Sequence, residues 1–141
     1  MAPRDNSGIR CVNQILLITI SGEDQSGVTA GLTAILAEHC VSILDIGQAV
    51  IHAALSLGLL VELPEDCVSE KVAEAVQNFA LRHDLRVFTS VVSPLSYSQW
   101  VEAQGQARYI ITLLARKITS DQLARVTKVI AHHGLNIAGI N

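Results

Sequence analysis

Aromatic residues make up only 4% of the 141-residue chain, and there is a single tryptophan. Positive charge is also scarce, with 10 Lys plus Arg against 13 Asp plus Glu and a formal net charge of -3. Such a chain has little with which to stack bases or neutralise phosphates, so nucleic acid is not an expected partner. No apolar run approaches the roughly 20 residues of a membrane-spanning helix, and the longest are as short as Ile15–Ile18. No membrane partner is expected. The polar opening Met1-Ala2-Pro3-Arg4-Asp5-Asn6-Ser7-Gly8 lacks the apolar segment of a signal peptide. The three cysteines, Cys11, Cys40 and Cys67, are an odd count without a Cys-x-x-Cys pair. That fits neither a disulfide framework nor a structural zinc site, so free thiols in a cytoplasmic setting are expected.

Catalytic signatures are missing too. There is no Gly-x-Ser-x-Gly, His-Glu-x-x-His, phosphate loop or Gly-x-Gly-x-x-Gly, and no Asp-x-Asp pair for phosphoryl transfer. The histidines are scattered. His39 and His133 fall where helices close, which suits an imidazolium at the negative dipole end, and His52 falls at a hairpin.

Half the residues are apolar, enough for a core, and their spacing is ordered. Ile15–Ile20 predicts a buried strand broken by Ser21–Gly27. Val28, Leu32, Ile35 and Leu36 predict a helix from about Gly27 to His39. An extended stretch over 42–52 puts Leu44, Ile46 and Val50 on one face, and after a turn Leu55, Leu57, Leu59, Val61 and Leu63 alternate with smaller or polar residues. Asp66 or Ser69 is positioned to cap a second helix carrying Val72, Ala75, Val76, Phe79 and Ala80, and Arg86–Val92 reads as a last strand. The order strand, helix, strand, strand, helix, strand predicts a ferredoxin-like βαββαβ sandwich of the α+β class, an antiparallel sheet with both helices on one face.

The sequence then begins again. Residues 93–107 read as a polar linker with a helical turn, Arg108–Leu114 repeats the opening strand, and Thr119-Ser120-Asp121-Gln122 is a capping box. Aligning Ile35–Ile46 with Val129–Ile140 gives four identities and apolar matches elsewhere. The expected organisation is a head over 1–12, a complete domain over 13–93, a linker over 94–107 and a truncated second copy over 108–141. On this reading the chain is a fragment of a longer protein, cut inside its second domain.

One loop carries a functional signal. Where a strand meets a helix through Asp24-Gln25-Ser26-Gly27, the first helical N–H groups are free to receive a carboxylate, and Asp24 offers a partner for an ammonium group. Free amino acids carry both charges. Alternatively, Asp24 or Ser26 only caps the helix.

Gly22–Ala30, of the form Gly-x-Asp-x-x-Gly-Val-Thr-Ala, followed by Val41-Ser42-Ile43-Leu44-Asp45, resembles the ACT domain, a small regulatory module that binds amino acids. The run Leu44-Asp45-Ile46-Gly47-Gln48-Ala49-Val50-Ile51-His52, with Leu55-Ser56-Leu57-Gly58, is similar to the N-terminal tandem ACT region of long-form phosphoserine phosphatases. That resemblance implies a serine-binding regulatory module between the first loop of one domain and the second strand of a neighbour. It implies contacts at Asp24, Gln25, Ser26, Gly27, Val28 and Ser42. In the second copy Asn136 stands where Ser42 does, but the loop Arg116-Lys117-Ile118-Thr119 lacks both the Asp and the Gly. One copy is thus expected to bind and the other to act as a packing partner. The resemblance also implies a homodimer formed through sheet edges or helices. Catalysis is expected from a magnesium-dependent, haloacid-dehalogenase-type domain absent from this chain, where neither catalytic residues nor a cofactor are expected. The alternatives are an oligomerisation module without a ligand, or an ACT-repeat regulator of another amino-acid pathway enzyme.

Overall fold

In a computed structural model, residues 13–140 are described; the expected head, with Cys11, and Asn141 lie outside the described residues. The chain divides into two compact units, up to Gly105 and from Gln106. The first contains β1 (Ile15–Glu23), α1 (Val28–Glu38), β2 (Ser42–Ile51), β3 (Ala54–Glu62), α2 (Ser69–Arg82), β4 (Arg86–Val92) and α3 (Pro94–Gln104). The strands form one antiparallel sheet in the order β2-β3-β1-β4. This is the ferredoxin-like sandwich that the alternation of elements predicts.

The core follows from period-2 strands meeting period-3.6 helices. Leu16, Ile18 and Ile20 of β1 lie opposite Val61, Leu59 and Leu57 of β3, and all six are buried. Val28, Leu32 and Leu36 of α1, with Val72, Val76, Phe79 and Ala80 of α2, complete the same cluster. Gly31 lets the two helices approach, because a β-carbon there would enter the Phe79 ring.

Strand β2 departs from the predicted alternation. A bulge between Ile43 and Asp45 gives β2 one residue, Leu44, with no partner on β3. The extra residue flips the face, so Ile43, Ile46, Gln48 and Val50 share the side of Val61, Leu59, Leu57 and Leu55. Ile46 and Val50 share a face as the alternation predicts, while Leu44, the extra residue, is half-buried and has no register partner. Ile43, Ile46 and Val50 remain exposed there, along an edge strand.

Helix ends show a common device. His39, His83 and His133 are the C-cap residues of α1, α2 and α4 (Ser120–His132), and each ring Nδ1 lies 2.9 Å from the carbonyl oxygen four residues back. The next residue is left-handed in every case: Cys40 at φ 54°, Asp84 at φ 55° and Gly134 at φ 69°. The N–H groups of Val41, Leu85 and Leu135 then close the helices on Leu36, Ala80 and Ile130, which makes all three Schellman caps. His39 and His133 close their helices as expected, and His83 adds a third case. At the start of α2, neither Asp66 nor Ser69 caps: Val68 holds that position without a side-chain bond, and the Ser69 hydroxyl, already inside the helix, donates to Glu70.

Residues 94–104, expected as linker with a helical turn, form the full helix α3. Ser93 caps it by accepting from the Ser96 N–H at 3.1 Å, with Pro94 in the first turn.

The second unit contains α4, begun by the predicted capping box. The Gln122 N–H donates to Thr119 Oγ1 at 3.3 Å, and the Thr119 N–H donates to Gln122 Oε1 at 3.0 Å. Residues 108–114, expected as a strand, make no ladder among the described residues, and Ile110 and Leu114 are 93% exposed. A strand exists through its partner, and the described part of this unit supplies none.

Candidate functional site

Strand β1 ends at Glu23, and the chain must turn into α1 within four residues. Two bonds hold that loop. The Asp24 N–H donates to the Ala53 carbonyl at 2.8 Å, tying the loop to the β2–β3 turn. Gln25 Nε2 donates to the His83 carbonyl at 2.6 Å, tying it to the end of α2. Gly27 then takes φ 87°, ψ 1°, a left-handed conformation that suits glycine. Gly22, at the end of β1, is needed for space, since a β-carbon would lie 2.6 Å from Leu85 Cδ2.

Between this loop, α1 and the sheet is an open cavity of about 440 Å³, lined by Asp24 through Ala30 with Gln48 and Leu55. Its volume falls in the range of small-molecule sites. The alternative role of Asp24 and Ser26 as helix caps fails, because α1 has no side-chain cap. The first intrahelical bond runs from the Gly31 N–H to the Gly27 carbonyl at 2.9 Å, which leaves the Val28, Thr29 and Ala30 N–H groups as the free donors of the first turn. The Asp24 carboxylate is exposed and makes no ion pair among the described residues. The cavity lining therefore includes both free donors at a positive dipole end and a carboxylate, which complement the two charges of an amino acid.

Of the predicted site residues, Asp24, Gln25, Ser26, Gly27 and Val28 line this cavity. Ser42 does not. It opens β2 opposite Glu62, six residues before Gln48, or about 20 Å along the strand. Gln25 belongs to the site with its amide already engaged by His83. Sequence reasoning missed Thr29 and Gln48, whose side chains join across the cavity: Thr29 Oγ1 donates to Gln48 Oε1 at 2.8 Å. Gln48 shares its face of β2 with Ile46 and Val50, as strand alternation gives it. Cys40 and Cys67 are free thiols. Among the described residues no cluster of His, Cys, Asp or Glu could hold a metal, and no helix is long and apolar enough to cross a membrane.

The fold and the loop together define a small α+β module with a ligand-sized cavity at a helix start. Comparison with known proteins places it: the ACT domain family model matches residues 14–90, and the chain belongs to the ACT domain family. More particularly, it is 33% identical over 127 residues to the phosphoserine phosphatase SerB2 of Mycobacterium tuberculosis, covering 86% of this chain and 29% of that protein. A phosphoserine phosphatase of Streptomyces coelicolor is 29% identical over 122 residues, covering 86% of this chain and 28% of its own length. The chain thus spans less than a third of these relatives. Among solved structures, an ACT domain protein from Streptococcus pneumoniae matches with a TM-score of 0.51 at 22% identity, covering 69% of this chain and 99% of that one.

Proposed function

We propose that this chain is the regulatory ACT region of a phosphoserine phosphatase of serine biosynthesis and that the cavity at the start of α1 takes a free amino acid, L-serine. The observation that carries the reading is the uncapped first turn of α1 lining the same cavity as an exposed Asp24 carboxylate. The likeness to phosphoserine phosphatases over 86% of the chain supports serine, the end product of such an enzyme's pathway, as the signal. The magnesium-dependent chemistry belongs, in this reading, to the parent's catalytic domain.

The neighbouring copy has a place in the proposal. Strand β2 is an edge, and its Ile43, Ile46 and Val50 stay exposed. Pairing there with a second copy covers those side chains and brings a neighbour's Ser42 toward the loop, which one copy alone does not achieve. Ligand binding then shifts association, and a coupling of about 1–3 kcal/mol suffices for feedback. Size-exclusion light scattering with and without L-serine is the test, a change of association state being the expected result. The same exposed edge favours a second reading, assembly without a ligand. A dimer that is identical with and without amino acids would support that one instead.

A further inference from the structure

We propose that Gln48 is a specificity-determining residue of this site, its carboxamide N–H groups receiving an acceptor atom on the ligand's side chain; this rests on the amino-acid reading above. Gln48 lies on the helix side of β2, across from Leu57 and against the cavity. Its Oε1 accepts from Thr29 Oγ1 at 2.8 Å. In that arrangement the hydroxyl takes up Oε1, and Nε2 is the end left to face a ligand. Gln48 Nε2 has no partner among the described residues, so both of its N–H groups are available to a ligand.

The remaining walls are already matched to the invariant parts of an amino acid. The first-turn N–H groups of α1 suit the carboxylate, Asp24 suits the ammonium, and the buried Leu55 forms an apolar floor. What is left for Gln48 is the variable side chain. A carboxamide presenting only donors asks for an oxygen, as a hydroxyl or carbonyl supplies. An apolar side chain would strip water from those donors and give nothing back. Thr33 cannot take over the role of Thr29, since its hydroxyl is bonded to the Thr29 carbonyl of its own helix at 2.9 Å.

The test is calorimetric titration of the 141-residue chain with L-serine and with L-alanine, in wild type, Gln48→Leu and Thr29→Val. Gln48 is exposed, so the leucine variant should fold, and circular dichroism verifies that it has. Wild type is expected to prefer serine by about tenfold, the ratio that one lost hydrogen bond corresponds to. Gln48→Leu should bring the ratio near one by weakening serine while leaving alanine unchanged. Thr29→Val should lower it partway by releasing the carboxamide. A serine preference that survives in folded Gln48→Leu overturns the assignment of Gln48 alone. Wild type that binds neither amino acid overturns the amino-acid reading and this proposal with it.

Discussion

Gly27 is where the site and the stability of the fold meet, and Gly27→Ala separates conformation from packing. The residue sits at φ 87°, ψ 1° before α1, and a β-carbon built on it meets nothing within 4 Å. The substitution therefore acts through the backbone alone. Holding an L-residue left-handed costs about 1–2 kcal/mol, and the reduced freedom of alanine in the unfolded chain offsets about 0.4–1 kcal/mol of that. The net expectation is a loss of about 1 kcal/mol. In urea unfolding the midpoint should fall with an unchanged slope. For a domain of this size the melting temperature should drop by about 4–8 °C. Alanine that relaxes toward negative φ re-aims the first turn of α1, so serine affinity should fall further than the folded fraction accounts for. A variant that unfolds at the wild-type midpoint would refute the reasoning, since no lost packing could then be hidden behind it.

The same physics runs in reverse at Cys40, an exposed residue at φ 54° where the corresponding cap of α4 has Gly134. Cys40→Gly should raise stability by about 0.5–1 kcal/mol and Cys40→Ala should change little, as thermal melts would show. Gln25→Ala removes the 2.6 Å bond to the His83 carbonyl. It should cost about 1 kcal/mol in urea unfolding and weaken serine binding by loosening the loop, without removing a ligand contact. Loss of binding with wild-type stability would instead make Gln25 a direct contact.

How much of this was legible in sequence depends on where the physics is local. The alternation of Leu55, Leu57, Leu59 and Val61 is read directly, and all four are buried. Thr119 and Gln122 announce their capping box because its two bonds lie within four residues. The bulge at Leu44 is silent, since inserting one residue into an apolar strand changes its face without changing its hydropathy. Gln48 falls with Ile46 and Val50 by plain alternation, and what stays hidden is its bond to Thr29 Oγ1, a contact between α1 and β2 that no local pattern announces. Asp66 and Ser69 are good capping residues in composition, yet the turn after Pro64 starts the helix one residue beyond Val68. His83 was findable: His39-Cys40-Val41, His83-Asp84-Leu85 and His133-Gly134-Leu135 share a C-cap histidine, a left-handed residue and an apolar one. Arg108–Leu114 has the composition of a strand, but pairing is a long-range property that composition does not supply.

Central to the account is a charge match between an amino acid and the start of α1, and the most direct measurement is calorimetric titration with L-serine of the wild-type chain and of Asp24→Ala. Asp24 is exposed and its carboxylate supports no ion pair among the described residues, so the variant should melt like wild type. The account predicts saturable binding to wild type and its loss in the folded variant. Equal affinity in both proteins, or no binding to wild type, would contradict it.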